Sequence, residues 1–409
     1  MPQSLTVQCC IAGGGPAGMM LGYLLGRAGV DTVVLEKHMD FLRDFRGDTV
    51  HPSTMQIMHE LGLLEDFLRR PHSEIRAFSA DIGHRTFKVA DFERVPTRCR
   101  FIALMPQWDF LDFLLEKGRR FTALKVMMRA QVTGLIQASG HVLGVRATTM
   151  DGALEVNAQL VVGCDGRSST VRSAAALPVQ DLGAPIDVLW FRLSKRSGDP
   201  QQVLGHLESG KMVVTIDRND YWQCAYVIAK GSAERVQDAG IEAFRRSVAD
   251  GAQFLADRVR ELQSFDDVKL LSVSVDRLLK WFRPGLLCIG DAAHAMSPVG
   301  GVGINLAIQD AVASANLLAA KLKAGTVSDR DLASVQRRRM FPVKVVQRGQ
   351  IAIHNRVLGP LVAGGGRSLE APWVVKLLDR SRLLRRWPAQ IVGVGVRPEH
   401  VRSPEEVHA

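Results

Sequence analysis

Three glycines near the start of the chain have the spacing of a phosphate-binding turn. Gly13, Gly15 and Gly18 match the pattern G-x-G-x-x-G, with Pro16 and Ala17 between the last two glycines. In such a turn the first glycine permits a tight bend, the second lets a pyrophosphate approach the backbone, and the third lets a helix pack closely on a strand. The helix N-terminus adds N–H donors and partial positive charge. These residue types at this spacing predict a dinucleotide site.

An acidic residue follows the turn at the distance that a dinucleotide site requires. Glu36 lies 18 residues after Gly18 and immediately before Lys37. A carboxylate in this place accepts hydrogen bonds from an adenosine ribose and repels a 2′-phosphate, which favours FAD or NAD over NADP. We therefore include Glu36 and Lys37 in the predicted cofactor site. The pattern alone does not distinguish FAD from NAD.

The elements around the turn predict a βαβ unit and hence a parallel sheet. Residues 5–12 are typical of a strand, residues 16–28 of a helix and residues 32–35 of a second strand. Short β-rich runs over residues 124–163 predict a β-meander that ends in an apolar strand. The apolar run 286–289 precedes a glycine-rich loop and a helix, which predicts that the chain returns to the same sheet.

These elements predict an α/β fold class, α+β overall. We expect a discontinuous Rossmann-like dinucleotide-binding domain with a β-meander, an inserted β-sheet lobe, and a helical C-terminal region. The expected ranges are 1–75, 100–178 and 277–340 for the first domain, 76–99 and 179–276 for the inserted lobe, and 341–409 for the C-terminal region.

Composition and charge exclude several classes of protein. The chain has 409 residues, 46% hydrophobic and 23% charged, which is typical of globular proteins and not of disordered chains, collagen-like repeats or coiled coils. Its net charge of +10 favours anionic ligands but does not resemble a charged nucleic-acid-binding arm. No nucleic-acid partner is therefore expected.

The cysteines and the start of the chain bear on metal binding and location. None of the six cysteines has C-x-x-C spacing, so neither a metal site nor a redox disulfide is predicted. The first residues lack the basic region of a signal peptide, and no uncharged apolar run reaches the roughly 18 residues of a membrane span. We expect a soluble protein located in the cytoplasm.

Two later segments carry a more specific pattern. Residues 285–305 read GLLCIGDAAHAMSPVGGVGIN, in which an apolar strand ends at Gly290 and Asp291 before a glycine-rich loop and a helix. Residues 163–166 read GCDG and are followed by Arg172. With these motifs the chain resembles the single-component, class A flavoprotein monooxygenases, the para-hydroxybenzoate hydroxylase-like family.

The resemblance implies roles for individual residues. Asp291 would accept hydrogen bonds from the ribityl chain of FAD, while Gln107 and Arg46 would contact its flavin-proximal and phosphate parts. Asp165 would belong to a segment that serves both FAD and the incoming nicotinamide nucleotide. The helix after the glycine-rich loop would direct its positive end at the flavin and stabilise the anionic reduced form. The other positions implied to lie at the flavin or along its loop are Gly290, Pro298, Gly301, Gly303, Ile304 and Asn305.

The same resemblance implies an activity. NADPH or NADH would reduce non-covalently bound FAD, the reduced flavin would take up O2 as a C4a-hydroperoxide, and one oxygen atom would pass to an aromatic or quinone-like substrate. No second glycine motif follows in a strand-turn-helix context, which argues against flavoenzymes with two dinucleotide domains. No Trp-x-Trp-x-Ile-Pro segment is present, which argues against the related halogenases.

Polar side chains in the inserted lobe are candidates for substrate contact. Alternation along residues 221–226 places one set of side chains on each face of a strand. The two sets are Tyr221, Gln223 and Ala225, and Trp222, Cys224 and Tyr226. The sequence does not decide which set points inward. The predicted residues next to the reacting groups are Pro298, Arg192 and Tyr226.

The number of tyrosines bears on the substrate. Of three tyrosines, Tyr23 lies on the helix after the glycine turn, which leaves Tyr221 and Tyr226 in the inserted lobe. The inserted lobe therefore has few tyrosines from which to build a relay that removes a phenolic proton. Together with the apolar strands 188–193 and 212–216, this favours a large, mostly neutral aromatic, polycyclic or quinone-like substrate over a small hydroxybenzoate.

Two other functions fit the same pattern. The chain could be an FAD-dependent reductase or dehydrogenase of the same fold, in which no oxygen atom reaches the substrate. It could also be a non-catalytic binding protein that retains the fold, although the full set of glycines and Asp291 argues against this function.

A basic stretch near the C-terminus has two interpretations. Residues 373–387 mix tryptophan and leucine with lysine and arginine. A helix of this composition could make weak contact with a membrane surface. The favoured alternative is an amphipathic helix that packs on the protein and exposes its basic face. His294, in the tight turn after Asp291, is interpreted as a structural residue and not as a general base.

Overall fold

The computed structural model describes residues 3–42, 49–83, 85–200, 205–208, 210–218, 220–360 and 371–406. Within them the strands are β1 Gln3–Ala12, β2 Thr32–Leu35, β3 Thr49–Val50, β4 Ser73–Ile75, β5 Ala77–Ile82, β6 Arg85–Asp91, β7 Ile102–Leu104, β8 Leu124–Met127, β9 Gln131–Ala138, β10 His141–Thr149, β11 Gly152–Gly163, β12 Val179–Asp181, β13 Ile186–Ser194, β14 Gly205–Glu208, β15 Lys211–Asp217, β16 Tyr221–Ala229, β17 Lys269–Leu271, β18 Asp276–Leu278, β19 Phe282–Arg283, β20 Leu286–Cys288 and β21 His294–Ala295.

The helices in the same part of the chain are α1 Pro16–Arg27, α2 Pro52–Glu60, α3 Leu64–Leu68, α4 Gln107–Gly118, α5 Thr170–Ala174, α6 Ala233–Asp238, α7 Ile241–Gly251, α8 Gly303–Lys323, α9 Asp329–Ile353, α10 Trp373–Arg380 and α11 Arg386–Gly393. A π-helical turn, His354–Leu358, continues α9. Strands and helices alternate in the N-terminal part of the chain, so the predicted α/β class is confirmed.

The first sheet has a parallel centre, as the βαβ pattern predicts. Its strands run in the order β19-β20-β11-β1-β2-β8, and β10 and β9 extend it as a meander from β11. Strand β1 pairs in parallel with β11 and β2, and β2 pairs in parallel with β8. Cys9, Cys10 and Ile11 at the centre of β1 are fully buried. Burial on both faces explains why this strand has a continuous apolar run and no alternation.

The second sheet is mainly antiparallel, and its strands run in the order β17-β13-β16-β15-β14-β5-β6. These strands come from residues 77–91 and 186–271, within the two ranges expected for the inserted lobe. Helix α7 packs on one face of this sheet through Phe244 and Val248. Two small sheets, β3-β7-β4 and β12-β18-β21, lie outside these two large ones.

Helix α7 is shorter than the sequence suggests. Helical composition extends over residues 239–262, but α7 ends at Gly251 and short 3-10 turns follow. A Cβ atom at Gly251 would lie 2.8 Å from Cγ2 of Val213, so the helix end packs closely on the sheet. Ala252 then leaves the helical region with φ −149° and ψ 83°.

Helix α9 crosses the boundary expected at residue 340. It runs without interruption from Asp329 to Ile353 and includes Pro342. Leu332, Val335 and Val343 on this helix pack in the largest hydrophobic core. Residues on both sides of the expected boundary therefore belong to one helix.

Helix α8 is the one segment in the described ranges that is long and apolar enough to cross a membrane. About 78% of its most apolar stretch is buried inside the protein. Ile308, Ala311 and Val312 are fully buried on it. Burial in the main core accounts for this apolar composition.

Candidate functional site

The glycine turn between β1 and α1 has one close-packed side and one open side. Gly13 has a φ of +102°, and a Cβ atom there would lie 2.5 Å from the carbonyl oxygen of Cys164. A Cβ atom at Gly18 would overlap the carbonyl oxygen of Gly13. At Gly15 no heavy atom lies within 4 Å of the Cβ position. Packing therefore requires the first and third glycines, and the second leaves room for a ligand.

The N-terminus of α1 is available to an anion. Gly15 precedes the helix and Pro16 begins it, and no side chain caps the first turn. The free N–H groups and the partial positive charge of the helix fit a pyrophosphate. A dinucleotide such as FAD therefore fits the open side of the turn.

Glu36 at the end of β2 binds the backbone of the glycine turn. Its Oε2 accepts a hydrogen bond from the Gly14 N–H at 2.9 Å, and its Oε1 lies 3.0 Å from the His38 N and 2.6 Å from His38 Nδ1. Burial raises the pKa of Glu36, but the bonds from His38 and Gly14 outweigh burial and leave it below its ordinary value. Glu36 is thus an ionised acceptor beside the turn, while Lys37 is exposed.

The two glycine-containing motifs meet in the structure. Gly290 has a φ of +59°, and a Cβ atom there would lie 3.1 Å from Cβ of Ala17 and 3.2 Å from Cβ of Ala307. Only a glycine lets the chain pass between the start of α1 and the side of α8. The N–H of Gly290 donates to Oδ2 of Asp310 at 3.1 Å. The loop that carries Asp291 is therefore adjacent to the glycine turn.

Asp291 has an arginine partner that the motifs do not include. Nε of Arg167 lies 3.2 Å from Oδ2 of Asp291, and both side chains are about one-third exposed at 32% and 36%. Nη2 of Arg167 donates to the carbonyl oxygen of Met296 at 3.0 Å. Arg167 therefore links the GCDG segment to the loop after Asp291. Its place next to that segment is the signal in the sequence that could have identified it.

The carboxylate of Asp165 accepts hydrogen bonds within its own loop. Its carboxylate accepts hydrogen bonds from the hydroxyl of Ser169 and from the N–H of Val171, the latter at 3.0 Å. Burial raises the pKa of Asp165 above its ordinary value, although these hydrogen bonds oppose the shift. The carboxylate therefore shapes the turn into α5.

One residue near the end of α9 and one in the π-helical turn that follows it anchor the loop after Met296. Gln350 accepts a hydrogen bond from the Ser297 N–H at 3.1 Å and donates to the carbonyl oxygens of Ser297 at 3.0 Å and Val299 at 2.9 Å. Nε2 of His354 lies 2.8 Å from the Ser297 hydroxyl oxygen. Pro298 lies between these anchored residues. No local motif marks Gln350, so it could not be selected from the sequence.

The segment β3–α2 holds the other end of this loop. Oδ1 of Asn305 accepts hydrogen bonds from the His51 N–H at 3.0 Å and the Thr54 hydroxyl at 2.7 Å. The hydroxyl of Thr49 donates to the carbonyl oxygen of Gly301 at 3.0 Å. The side chain of Asn305 is therefore bound to protein, and no side chain caps the first turn of α8.

The remaining predicted cofactor residues have these positions. Gln107 begins α4 and is partly exposed. Gly303 begins α8, followed by the partly buried Ile304. Arg46 lies outside the described residues.

His294 belongs to a buried ionic cluster behind Asp291. Its Nε2 lies 2.6 Å from Oδ2 of Asp310, whose Oδ1 accepts a hydrogen bond from Nε of Arg339 at 2.8 Å. All three side chains are at most 1% exposed. Burial raises the pKa of Asp310, but His294 and Arg339 reverse this and hold it below its ordinary value. His294 therefore has a partner in the core, which fits a structural role.

The second sheet directs one apolar face at the glycine-rich loop. Val188, Trp190, Val214 and Ala225 lie on this face and pack in one cluster with Val299. We call it the loop-side face. Gln223 shares the face by alternation, and its Oε1 accepts a hydrogen bond from Nε of the buried Arg218 at 3.1 Å. The face is thus an apolar wall with one buried polar pair.

Tyr226 lies on the opposite face, so the structure does not bring it to the loop. Its ring centroid is 5.5 Å from that of Phe244 on α7, and the helix covers it. Strand alternation puts Tyr221 and Gln223 on the loop-side face and Tyr226 on the helix side. Arg192 is exposed and lies over the ring of Tyr221 at 5.1 Å, at the outer end of the loop-side face.

Neither a metal site nor a disulfide is present in the described part of the chain. No group of three or more His, Cys, Asp and Glu side chains there could hold a metal ion. All six cysteines are free and buried. Burial raises the pKa of Cys10 to about 12, which keeps its thiol protonated.

Comparison with known proteins adds three findings. The model of the family described as "FAD binding domain" matches residues 6–349. The 6-methylpretetramide 4-monooxygenase of Streptomyces rimosus is 32% identical over 92% of this chain and 90% of its own length. The dialkyldecalin synthase of Streptomyces rugosporus is 31% identical over 74% of this chain, which spans 63% of that relative.

A solved structure shares the fold. The p-nitrophenol 4-monooxygenase PnpA of Pseudomonas putida DLL-E4 superposes with a TM-score of 0.75 and 20% identity, over 95% of this chain and 97% of that one. The two sheets and their order along the chain therefore follow a known arrangement.

Proposed function

Because this chain belongs to the FAD binding domain family and is an FAD-dependent monooxygenase, we propose that it inserts one oxygen atom into a polycyclic aromatic or quinone-like substrate. The substrate would lie between the loop-side face and the glycine-rich loop. The packing of that apolar face against Val299 supports this proposal, because Val299 belongs to the glycine-rich loop that is proposed to face the flavin.

The residues around the cofactor support this assignment. FAD, when bound, supplies the redox chemistry, and the electrons come from NADPH or NADH. The protein binds the dinucleotide without a covalent link, excludes water from the reacting atoms and orients the substrate. The proposed FAD contacts are Gly13, Gly15, Pro16, Ala17, Gly18, Glu36, Lys37, Arg46, Gln107, Asp165, Gly290, Asp291, Pro298, Gly301, Gly303, Ile304 and Asn305.

The apolar side chains of the loop-side face favour a large and mostly neutral substrate. Trp190 and Val214 offer flat and apolar surface, which stabilises a planar ring system by burial. The Arg218–Gln223 pair supplies the polar contact near one end. One relative is named for 6-methylpretetramide, a substrate whose name fits a large scaffold better than a single ring.

A screen of polycyclic phenols and quinones tests the proposal. Stimulated NAD(P)H oxidation identifies a substrate, and mass spectrometry after reaction under 18O2 detects the inserted atom. We expect one labelled oxygen in the product. Substrate-dependent NAD(P)H oxidation without label would instead assign the chain as a reductase or dehydrogenase, and a purified protein that binds no FAD would favour a binding protein.

We also propose how the chain is divided into functional regions. Residues 1–75, 100–178 and 277–340 form the FAD domain, residues 76–99 and 179–276 form the substrate lobe, and residues 341–409 form the helical C-terminal region. Membership of the second sheet supports the middle assignment. Limited proteolysis with and without FAD tests these limits.

A weak membrane contact is proposed for the surface around α10, in a protein otherwise expected in the cytoplasm. Trp373 is 74% exposed and Trp387 is 68% exposed, and both lie among exposed arginines. Tryptophan with arginine is typical of helices that lie on anionic lipid. Sedimentation with phosphatidylglycerol vesicles, compared between the wild type and Trp373→Ser, tests this contact. Equal sedimentation of both proteins would exclude it.

A further inference from the structure

Two arginines and two aspartates form two ion pairs around the GCDG segment. Nη1 of Arg172 lies 3.5 Å from Oδ1 of Asp276, and these side chains are only 12% and 13% exposed. Nε of Arg167 lies 3.2 Å from Oδ2 of Asp291, and these side chains are 32% and 36% exposed. The first pair is thus largely buried, whereas a ligand can reach the second.

Arg167 is held at two further points. Its Nη2 donates to the carbonyl oxygen of Met296 at 3.0 Å. Its own carbonyl oxygen accepts a hydrogen bond from Nη2 of Arg172. Within the described ranges, Arg167 is the one cation within ion-pair distance of Asp291. Its charge therefore has a fixed place beside that carboxylate.

The exposed pair borders the glycine turn between β1 and α1. A Cβ atom at Gly13 would lie 2.9 Å from Cα of Asp165, two residues before the arginine. A Cβ atom at Gly290, next to the aspartate, would lie 3.1 Å from Cβ of Ala17 at the start of α1. Both members of the pair are therefore joined by short backbone segments to residues that touch the turn. A dinucleotide on the open side of this turn comes close to both charges.

The pyrophosphate of FAD brings two negative charges to the same region. The proposed role of Asp291 places a third negative charge at the ribityl chain. Like charges that share a site repel each other, and the repulsion is stronger where water is partly excluded. A cation beside Asp291 offsets this repulsion and leaves the carboxylate ionised as an acceptor for ribityl hydroxyl groups. Arg167 is the described residue in that place.

We propose that Arg167 is a positioning residue for FAD, which holds Asp291 as an ionised acceptor and cancels the repulsion between this carboxylate and the pyrophosphate. The inference rests on the proposed contact of Asp291 with FAD and adds a residue that acts through Asp291. Loss of the arginine charge therefore weakens FAD binding only while residue 291 is negative. An arginine that contacted the pyrophosphate directly would act equally with either residue at position 291.

FAD titration of the apoprotein in a double-mutant cycle tests this dependence. The variants are Arg167→Gln, Asp291→Asn and the two combined, because glutamine can still donate to the Met296 carbonyl but has no charge. We expect Arg167→Gln alone to weaken FAD binding roughly ten- to thirtyfold. In the Asp291→Asn background the same change should cost less than about threefold. Binding needs no substrate, NAD(P)H or O2, so the result does not depend on the reaction that the enzyme performs.

The variant Arg167→His makes the charge adjustable within one protein. An accessible histidine titrates near about pH 6.5, so it is mostly a cation at about pH 5.5 and mostly neutral at about pH 8. We expect the FAD affinity of this variant, divided by that of the wild type, to fall roughly fivefold between these pH values. Asp165, Arg172 and Asp276 neighbour position 167 in both proteins, so the ratio removes their contributions. The ratio also decides if Arg167→Gln does not fold.

Arg146→Gln is the matched control, because Nε of Arg146 lies 3.2 Å from Oε1 of Glu155 in an exposed pair of the same length on β10 and β11. It should leave FAD affinity within about twofold of the wild type. Three results would overturn the proposal: unchanged affinity in Arg167→Gln, an equal loss in both backgrounds, or a pH ratio near one for Arg167→His. A loss in Asp291→Asn without coupling would overturn it while the FAD contact of Asp291 stands. No loss in Asp291→Asn would remove that contact and the proposal with it.

Discussion

At the scale of single residues, the carboxylate of Asp291 is anchored by Arg167 and its side chain is partly exposed. Its Oδ2 is engaged by Arg167, while about a third of the side chain faces solvent beside the glycine turn. We expect Asp291→Ala to lower FAD affinity by about 1.5 to 3 kcal/mol, because a charged acceptor is lost. Flavin titration of the apoprotein measures this, with Asp151→Ala in an exposed turn as the control. Unchanged affinity would remove Asp291 from the site.

Glu36 shapes the turn through its bond to Gly14 and is the proposed acceptor for the adenosine ribose. Glu36→Arg removes the bond to the Gly14 N–H and replaces an acceptor by a cation. We expect FAD affinity to fall by about 2 kcal/mol with the fold retained. Isothermal titration checks this against Glu93→Arg, which changes an exposed glutamate far from the turn in sequence. A loss of equal size in both variants would point to net charge instead.

His51 also predicts a pH dependence of stability. Its pKa is about 4 in the folded protein, below the ordinary value of 6.5, so between these values the unfolded chain binds more protons. The free energy of unfolding should therefore fall by about 2 kcal/mol between pH 7 and 5 on this account. Urea titrations at both pH values should show a smaller fall for His51→Asn. An identical fall would mean that His51 is accessible to protons in the folded state.

At the scale of elements, long periodic segments were predictable and single anchoring contacts were not. Strand β1, helix α1 and strand β2 lie within a few residues of their predicted bounds, because glycines and apolar periods mark their ends. Strand β16 is apolar on both faces, so only the packing of α7 decides that Tyr226 points away from the loop. Gln350 and His51 act through partners at sequence separations of 53 and 341 residues, which no local pattern contains.

The hydrogen bonds of Gln350 on helix α9 predict that this side chain stabilises the glycine-rich loop. Gln350→Ala removes three hydrogen bonds from residues 297–299 and leaves their backbone groups buried. We expect a loss of about 1 to 3 kcal/mol in stability. We also expect more hydrogen peroxide released per NAD(P)H, because a loosened loop admits water. Thermal melting and peroxide assays check this, with Arg348→Ala on the exposed side of the same helix as the control.

At the scale of the whole molecule, the C-terminal tail returns to the cofactor domain. Glu399 is buried and accepts hydrogen bonds from Arg338 at 2.7 Å and from Arg339 at 3.3 Å. Glu399→Ala should cost about 3 kcal/mol, because Arg339 then keeps a buried charge with fewer partners. Glu405→Ala, which removes a partly exposed pair with Arg27, should cost less than about 1 kcal/mol. Chemical denaturation compares the two, and similar losses would mean that the tail is held by its backbone alone.

Helix α11 contacts both the glycine-rich loop and the loop-side face, although it lies beyond residue 349, where the family match ends. One boundary of the proposed substrate space thus comes from a part of the chain that lies outside the family match. Relatives can therefore diverge in specificity by exchanging this short helix while the flavin machinery stays unchanged. A chimaera that receives only the second sheet of a relative would combine the loop-side face of that relative with the α11 of this protein. Productive recombination between relatives should move residues 186–229 and 386–394 together.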